Sequence, residues 1–132
     1  MHPAYFETRF RLPGAEPDWP AQFVIVSAYA TTGQQWTDAE NQLADRRLEA
    51  ELLSRGGWRC RVTGYSPTTG HAEPSFAADI PLSEARQLGA RFHQDAIYHV
   101  AGDQLSVVHC QGPAELVAVG PFRERVHAGD GR

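Results

Sequence analysis

Gln22-Phe-Val-Ile-Val-Ser-Ala-Tyr29 is followed, a short turn later, by Thr37-Asp-Ala-Glu-Asn-Gln-Leu-Ala-Asp45. The first run holds four consecutive apolar residues, Phe23 to Val26, and reads as a strand buried on both faces. The second opens a helix. Thr37 is an N-cap, Asp38 and Glu40 lie in the first turn where the helix dipole favours negative charge, and Glu40 completes a capping box with Thr37. Ala44, Leu48 and Leu52 recur at four-residue spacing as a core stripe, and Gly56-Gly57 stops the helix just after Arg55. A buried strand feeding a capped helix sets the class as α+β.

Outward from this pair the pattern continues on both sides. Tyr5 to Leu12 favours extended structure, and the prolines and glycine of Leu12 to Pro20 make a loop. Ala30 to Trp36, with Gly33, is a polar turn. Trp58 to Tyr65 alternates as a strand, with Trp58, Cys60 and Val62 on one side. Glu73 to Ile80 is a further strand whose start Pro74 makes an edge or a bulge. Ser83 caps a second helix, Glu84 to His93, which buries Ala85, Leu88, Gly89 and Phe92. Ala96 to Val100 and Leu105 to Cys110 form a hairpin, and Leu116 to Val119 is a candidate last strand. The expected order is β-β-α-β-β-α-β-β, with a final β at the end. This describes a single mixed or largely antiparallel sheet of five to seven strands with two helices packed on one face. One domain spans 1–132, with its core over about 5–126 and a flexible tail at 127–132.

Composition bounds the chemistry. The 132 residues suit one domain able to bury a core without staples. The net charge of −4 argues against a nucleic-acid partner held by its phosphates. All basic residues are arginine, so no lysine Schiff base and no phosphate-loop lysine can form. Met1 to Arg11 carries no apolar leader core, and no apolar run reaches the ~18 to 20 residues that span a bilayer. The expectation is a cytoplasmic protein with reduced thiols at Cys60 and Cys110 and no membrane partner, monomeric or homodimeric.

Four short boxes stand out: Val26-Ser-Ala-Tyr29, Glu40-Asn41 with Arg47-Leu48, Glu73-Pro-Ser-Phe76, and Phe92-His-Gln-Asp-Ala-Ile97. Together they resemble a bacterial family of uncharacterised proteins, the domain-of-unknown-function family 3293. Its members share a Ser-Ala-Tyr strand end, an Asn on the first helix, a Glu-x-Ser-Phe box and a Gln-Asp/Asn-Ala-Ile box. The resemblance spans roughly Phe23 to Val108, with a departure at Ala30, where Asn is the more frequent residue. It implies one domain and no particular activity.

The boxes also supply candidate site residues. Ser27 and Tyr29 stand at a strand end and Asn41 in the first turn of the next helix, where ligand crevices form in α/β layouts. Asn41, Ala44, Asp45 and Leu48 form a stripe that starts polar, as a helix lining a pocket would; the alternative is that Asn41 and Asp45 satisfy loop backbone groups. Arg47 points about 240° away from Asn41 at ~100° per residue and is a weaker member. Glu73 and Ser75 share one face of their strand, where Glu73 is a candidate acid/base or an edge charge. Gln94 either orients a ligand or caps the second helix. Six histidines show no paired metal spacing, so neither a metal nor a cofactor is expected. Cys110 reads as a core thiol, and the three tryptophans are too scattered for a stacking platform.

The residues therefore suggest a small-ligand-binding or partner-binding domain without intrinsic catalysis, with Ser27, Tyr29, Asn41, Arg47, Glu73, Ser75 and Gln94 at its site. One alternative is a small hydrolase or group transferase using Glu73 as acid/base. Another is a protein-interaction module of antitoxin-like or phage-related kind, which requires an exposed apolar patch.

Overall fold

The structure, a computed structural model, describes residues 2–30 and 35–129. After a 3-10 turn at Pro3–Phe6 come β1 (Arg9–Arg11), β2 (Gln22–Ser27), α1 (Asp38–Arg55), β3 (Arg59–Tyr65) and β4 (Ala72–Ala78). Then follow α2 (Leu82–Arg91), β5 (Ala96–Ala101), β6 (Gln104–His109), β7 (Val117–Pro121), a 3-10 turn at Phe122–Glu124 and β8 (Val126–His127). The strands form one eight-stranded sheet in the order β7-β6-β5-β2-β4-β3-β1-β8. Its neighbours are antiparallel except β1 and β8, which run parallel.

Strand β2 is buried on both faces, and its alternation sorts the whole core. Val24 and Val26 face the helices, where Leu48 and Leu52 of α1 and Ala85 and Leu88 of α2 join Phe76, Ile97 and Val108. Phe23 and Ile25 face the opposite side with Phe10, Val62, Ala77, Tyr98, Val100, Val107 and Phe122. Neither α1 nor α2 covers this second face; the sheet curls over it instead, with Tyr5, Phe6 and Phe122 of the two 3-10 turns packed against it. Phe10 on β1 meets Tyr98 on β5 edge-to-face at 5.2 Å although three strands separate them in the sheet. The outermost strands β7 and β8 are joined by residues 122–125 alone, a link that spans no more than roughly 18 Å. Phe122 in that link packs on Phe10, Trp19 and Phe23. Trp19 and Trp58, distant in sequence, meet in the same cluster at 5.7 Å.

The first helix forms as its caps dictate: the Thr37 hydroxyl accepts from Glu40 N–H and the Glu40 carboxylate accepts from Thr37 N–H. Other expectations are corrected. The sheet has eight strands rather than five to seven, because the order gains β8 after the expected last strand. Only Arg9–Arg11 of the first expected strand is extended; Pro3 starts a 3-10 turn, with the His2 ring accepting from Ala4 N–H. Helix α2 starts at Leu82, and its N-cap is Pro81, with no side-chain cap from Ser83. The tail is anchored further than expected: His127 accepts from Leu12 N–H, and Gly129 N–H donates to Gly14. The turn expected around Gly33 and the last three residues lie outside the described residues.

Pro74 sits inside β4, paired to Thr63 of β3, yet β2 has ended before reaching it: the β2–β4 ladder stops at Ser27 opposite Ser75. The Pro74 carbonyl points to the β2 side and accepts from the Ser27 hydroxyl at 3.0 Å. Proline has no N–H to donate, and the Ser27 hydroxyl supplies the donor that the Pro74 carbonyl would otherwise lack beyond the end of the ladder.

Gly89 lets α2 lie close to the sheet. A Cβ there would stand 2.6 Å from Cys110 Sγ and 2.9 Å from Ile97 Cγ2. Cys110 lies on the helix side of the sheet and Cys60 on the curled side, so the two free thiols cannot pair.

Candidate functional site at the open end of the curled sheet

The ladder between β2 and β5 runs from Gln22 opposite Ala101 to Ile25 opposite Tyr98 and stops. Strand β2 continues to Ser27 and β5 begins at Ala96, so the two strands splay at this end. A cavity of about 110 Å³ opens there. Ser27, Glu73, Ser75 and Gln94 line it, together with Tyr5, Thr8, Tyr65, His71 and Tyr98. The volume holds several waters or the head group of a small molecule.

Gln94 is positioned by the end of α2. His93 adopts a left-handed φ of 60°, and Gln94 N–H donates back to Gly89 O while His93 N–H donates to Ala90 O. This is a Schellman closure with histidine where glycine is usual. The Gln94 amide nitrogen then donates to Tyr29 O at 2.8 Å and to Phe92 O at 3.2 Å. One residue closes the helix with its main chain and bridges the splayed strands with its side chain.

The other polar groups are equally committed. The Ser27 hydroxyl donates to Pro74 O and accepts from Tyr29 N–H. The Ser75 hydroxyl donates to Glu73 O, Thr8 to Ala4 O, and Tyr98 to Tyr5 O. Glu73 differs, since its carboxylate meets only the His71 ring among the described residues, at 3.1 Å. Burial raises the Glu73 pKa above the usual carboxylate range, and the His71 bond pulls it partly back. Burial pushes the Tyr5 phenol up to about 12, with Asp95 and Glu73 adding to the rise. It raises Tyr98 further still.

The raised Glu73 carboxyl makes a pH-dependent prediction. It holds its proton more tightly in the folded chain than in the unfolded one. Its contribution is therefore favourable below the ordinary value of 4.5 and is lost as pH rises through the folded value. Glu73→Gln removes that loss: urea midpoints should match the parent near pH 4 and exceed it near pH 7. A variant less stable than the parent at both pH values would contradict this account.

Of the seven candidate residues, the structure brings Ser27, Glu73, Ser75 and Gln94 to one cavity. Tyr29 contributes main-chain groups that hold Ser27 and Gln94. Asn41 lies outside: its Oδ1 accepts from Ala30 N–H at 2.8 Å and fixes the chain entering α1. Arg47 lines a separate crevice with Trp36, Leu43 and Phe92. The polar start of the α1 stripe is no pocket wall, because Asp45 is paired with Arg61 of β3. Tyr5, Thr8, Tyr65 and Tyr98 were not singled out from sequence. The two-residue spacing of His71 and Glu73 at the start of β4 was the available sign of their pairing.

Burial also holds both cysteine thiols up at about 11, which keeps them protonated and unreactive. Among the described residues, no group of three or more His, Cys, Asp or Glu side chains is gathered to hold a metal. No helix there is long and apolar enough to cross a membrane.

A splayed strand end closed by a capped helix, with a half-buried carboxylate beside it, gives this α+β domain a small cavity lined by both polar and apolar groups. The family model described as "Protein of unknown function (DUF3293)" matches residues 26–97, more than half of the chain, and the chain belongs to that family. The matched segment carries Ser27, Glu73, Ser75 and Gln94, whereas Tyr5, Thr8 and Tyr98 lie outside it. No curated protein matches the chain.

Proposed function

We propose that this protein is a small-ligand-binding domain without intrinsic catalysis, and that the cavity between β2, β4 and β5 is its site. The observation that carries this reading is the convergence of Ser27, Glu73, Ser75 and Gln94 with Tyr5 and Tyr98 around one opening. The Ser27 and Ser75 hydroxyls donate to main-chain carbonyls, so neither is primed for attack by a neighbouring base. Fixed, committed polar groups suit recognition. No arginine lines the cavity, and its size favours a small molecule or a head group over a nucleotide.

A second reading has one observation in its favour. Glu73 borders the cavity, has a histidine in reach and a raised pKa, which is the arrangement of a general acid/base in a hydrolase or group transferase. An interaction module has less support, since the exposed Leu43 and Leu53 stand roughly 15 Å apart along α1. Two free thiols on opposite sheet faces, Cys110 buried and Cys60 half-buried, support a reducing, cytoplasmic setting.

A thermal-shift screen of small amines, acids, amides and sugars tests the binding reading. A ligand at one hundred times its Kd stabilises by about 2.7 kcal/mol, a rise of about 10 °C for a domain of this size. Ser75→Val, which fills the cavity wall, should abolish the rise. Hits that survive Ser75→Val and are lost in Arg47→Ala would move the site to the Trp36 crevice and end this proposal.

A further inference from the structure

The direction of each hydrogen bond around the cavity says what its ligand must bring. Carbonyls only accept, so each hydroxyl or amide N–H bound to one has spent its proton there. Ser27, Ser75, Thr8 and Tyr98 all turn their O–H groups onto main-chain carbonyls. Gln94 spends its amide N–H groups on the Tyr29 and Phe92 carbonyls. Oxygen lone pairs remain on these side chains, beside the Glu73 carboxylate. The Tyr5 and Tyr65 hydroxyls can accept as readily as donate, whereas Ser66 already accepts from the Thr68 and Thr69 N–H groups and keeps its proton free.

Charge points the same way. Glu73 is the only acidic side chain in the lining, and the exposed His71 at the rim is the only basic one. Two arginines stand behind the wall and both are engaged: Arg125 donates to the Phe6 and Thr8 carbonyls, and Arg11 lies over the Tyr65 ring, 5.1 Å from its centre. Tyr5 and Tyr98 supply aromatic surface of the kind that attracts cations, as the Tyr65 ring already does for Arg11. Asp95 and Glu73 both lie within electrostatic reach of the Tyr5 phenol, and Arg125 acts in the opposite sense on Tyr98.

Resting on the binding reading above, we infer that the cavity takes a small organic cation whose ammonium or guanidinium head donates to Glu73 and to the surrounding oxygen atoms. An anionic ligand would find a carboxylate, with His71 and the Ser66 hydroxyl as the donors at the rim. A cation finds acceptors on several sides and displaces the His71 contact from the rim.

The test is a titration followed by amide chemical shifts, at matched ionic strength, with methylguanidinium chloride, neutral N-methylurea of the same shape, and sodium acetate. Methylguanidinium should move the amides of Gly64, Glu73, Ser75 and Ala96 saturably, with a Kd on the order of 1 mM. N-methylurea should bind at least about tenfold more weakly, since it lacks the charge-assisted bond to Glu73. Glu73→Gln should erase that preference, and Glu115→Gln, the same change at an exposed position outside the lining, should keep it. The comparison of charged with neutral probe on the parent protein decides the matter even if Glu73→Gln does not fold. If N-methylurea or acetate moves the cavity amides as strongly as methylguanidinium, the cation inference is overturned while the cavity remains a binding site. If no probe moves them, the inference falls, and a blank thermal-shift screen beside it would remove the binding reading as well.

Discussion

Phe122→Ala is expected to lower the stability of this protein by about 4 kcal/mol, the range for removing a large aromatic side chain from a packed core. Phe122 is 2% exposed and touches Phe10, Trp19 and Phe23. Its N–H donates to Asp103 O at 2.7 Å, and the Asp103 carboxylate accepts from Arg123 N–H at 2.8 Å, so the main chain holds the ring in register. The cost has two parts, the apolar area returned to water and the void left in a face that neither α1 nor α2 covers. Equilibrium urea unfolding measures it, and the melting temperature should drop by about 15 °C. Leu116→Ala, at an exposed leucine, should change stability by less than about 0.5 kcal/mol. A loss below about 1 kcal/mol for Phe122→Ala would mean that the curled face is held by something other than this ring.

The second large effect is expected at Asp45. It is 8% exposed on α1, and its two carboxylate oxygens accept from Arg61 Nη1 and Nη2 at 2.7 and 2.6 Å. The Arg61 guanidinium also lies 3.9 Å from the centre of the Phe76 ring. This fork joins the first helix to β3 beside the Phe76 ring, at the margin of the helix-side core. Asp45→Ala leaves the guanidinium unpaired against an aromatic ring. A fully buried pair broken on one side costs about 3 to 5 kcal/mol. The Arg61 side chain retains 36% exposure, so water relieves part of that and about 2 to 3 kcal/mol is expected. The double replacement Asp45→Leu with Arg61→Met should recover most of the loss, because removing both charges leaves nothing desolvated. If the double variant is as unstable as Asp45→Ala, packing geometry and not the orphaned charge is responsible.

These two positions also mark where sequence reasoning stops. The α1 boundaries follow from local chemistry, since the Thr37–Glu40 cap and the Gly56-Gly57 stop act within one turn. The two-sided burial of β2 follows from its unbroken apolar run. Asp45 was correctly put on the inward stripe of α1, but the stripe names a face and not a partner. Arg61 reaches it only through the register of β3. Strand β8 has two residues, too few for any period, and exists because β1 is there to pair with it. The site divides in the same way. Ser27, Glu73, Ser75 and Gln94 stand in recognisable boxes near strand and helix ends. Tyr5 and Tyr98, 93 positions apart, meet only because the sheet curls. Asn41 illustrates the opposite error: a polar residue at a helix start resembles a ligand group until the loop N–H it satisfies is known.

The link through Phe122 has one more consequence, for how copies of this protein meet each other. An open sheet of eight strands would offer two long rows of unpaired main-chain groups, and such rows recruit strands from other molecules. Here one border is β8, only two residues long, and the other is β7, which is irregular opposite Leu105 and Ser106 and ends at Gly120-Pro121. The same short segment that draws these borders towards each other leaves neither with a straight stretch on which a foreign strand could template. Loss of the Phe122 ring should therefore expose the chain to edge-to-edge aggregation as well as to unfolding.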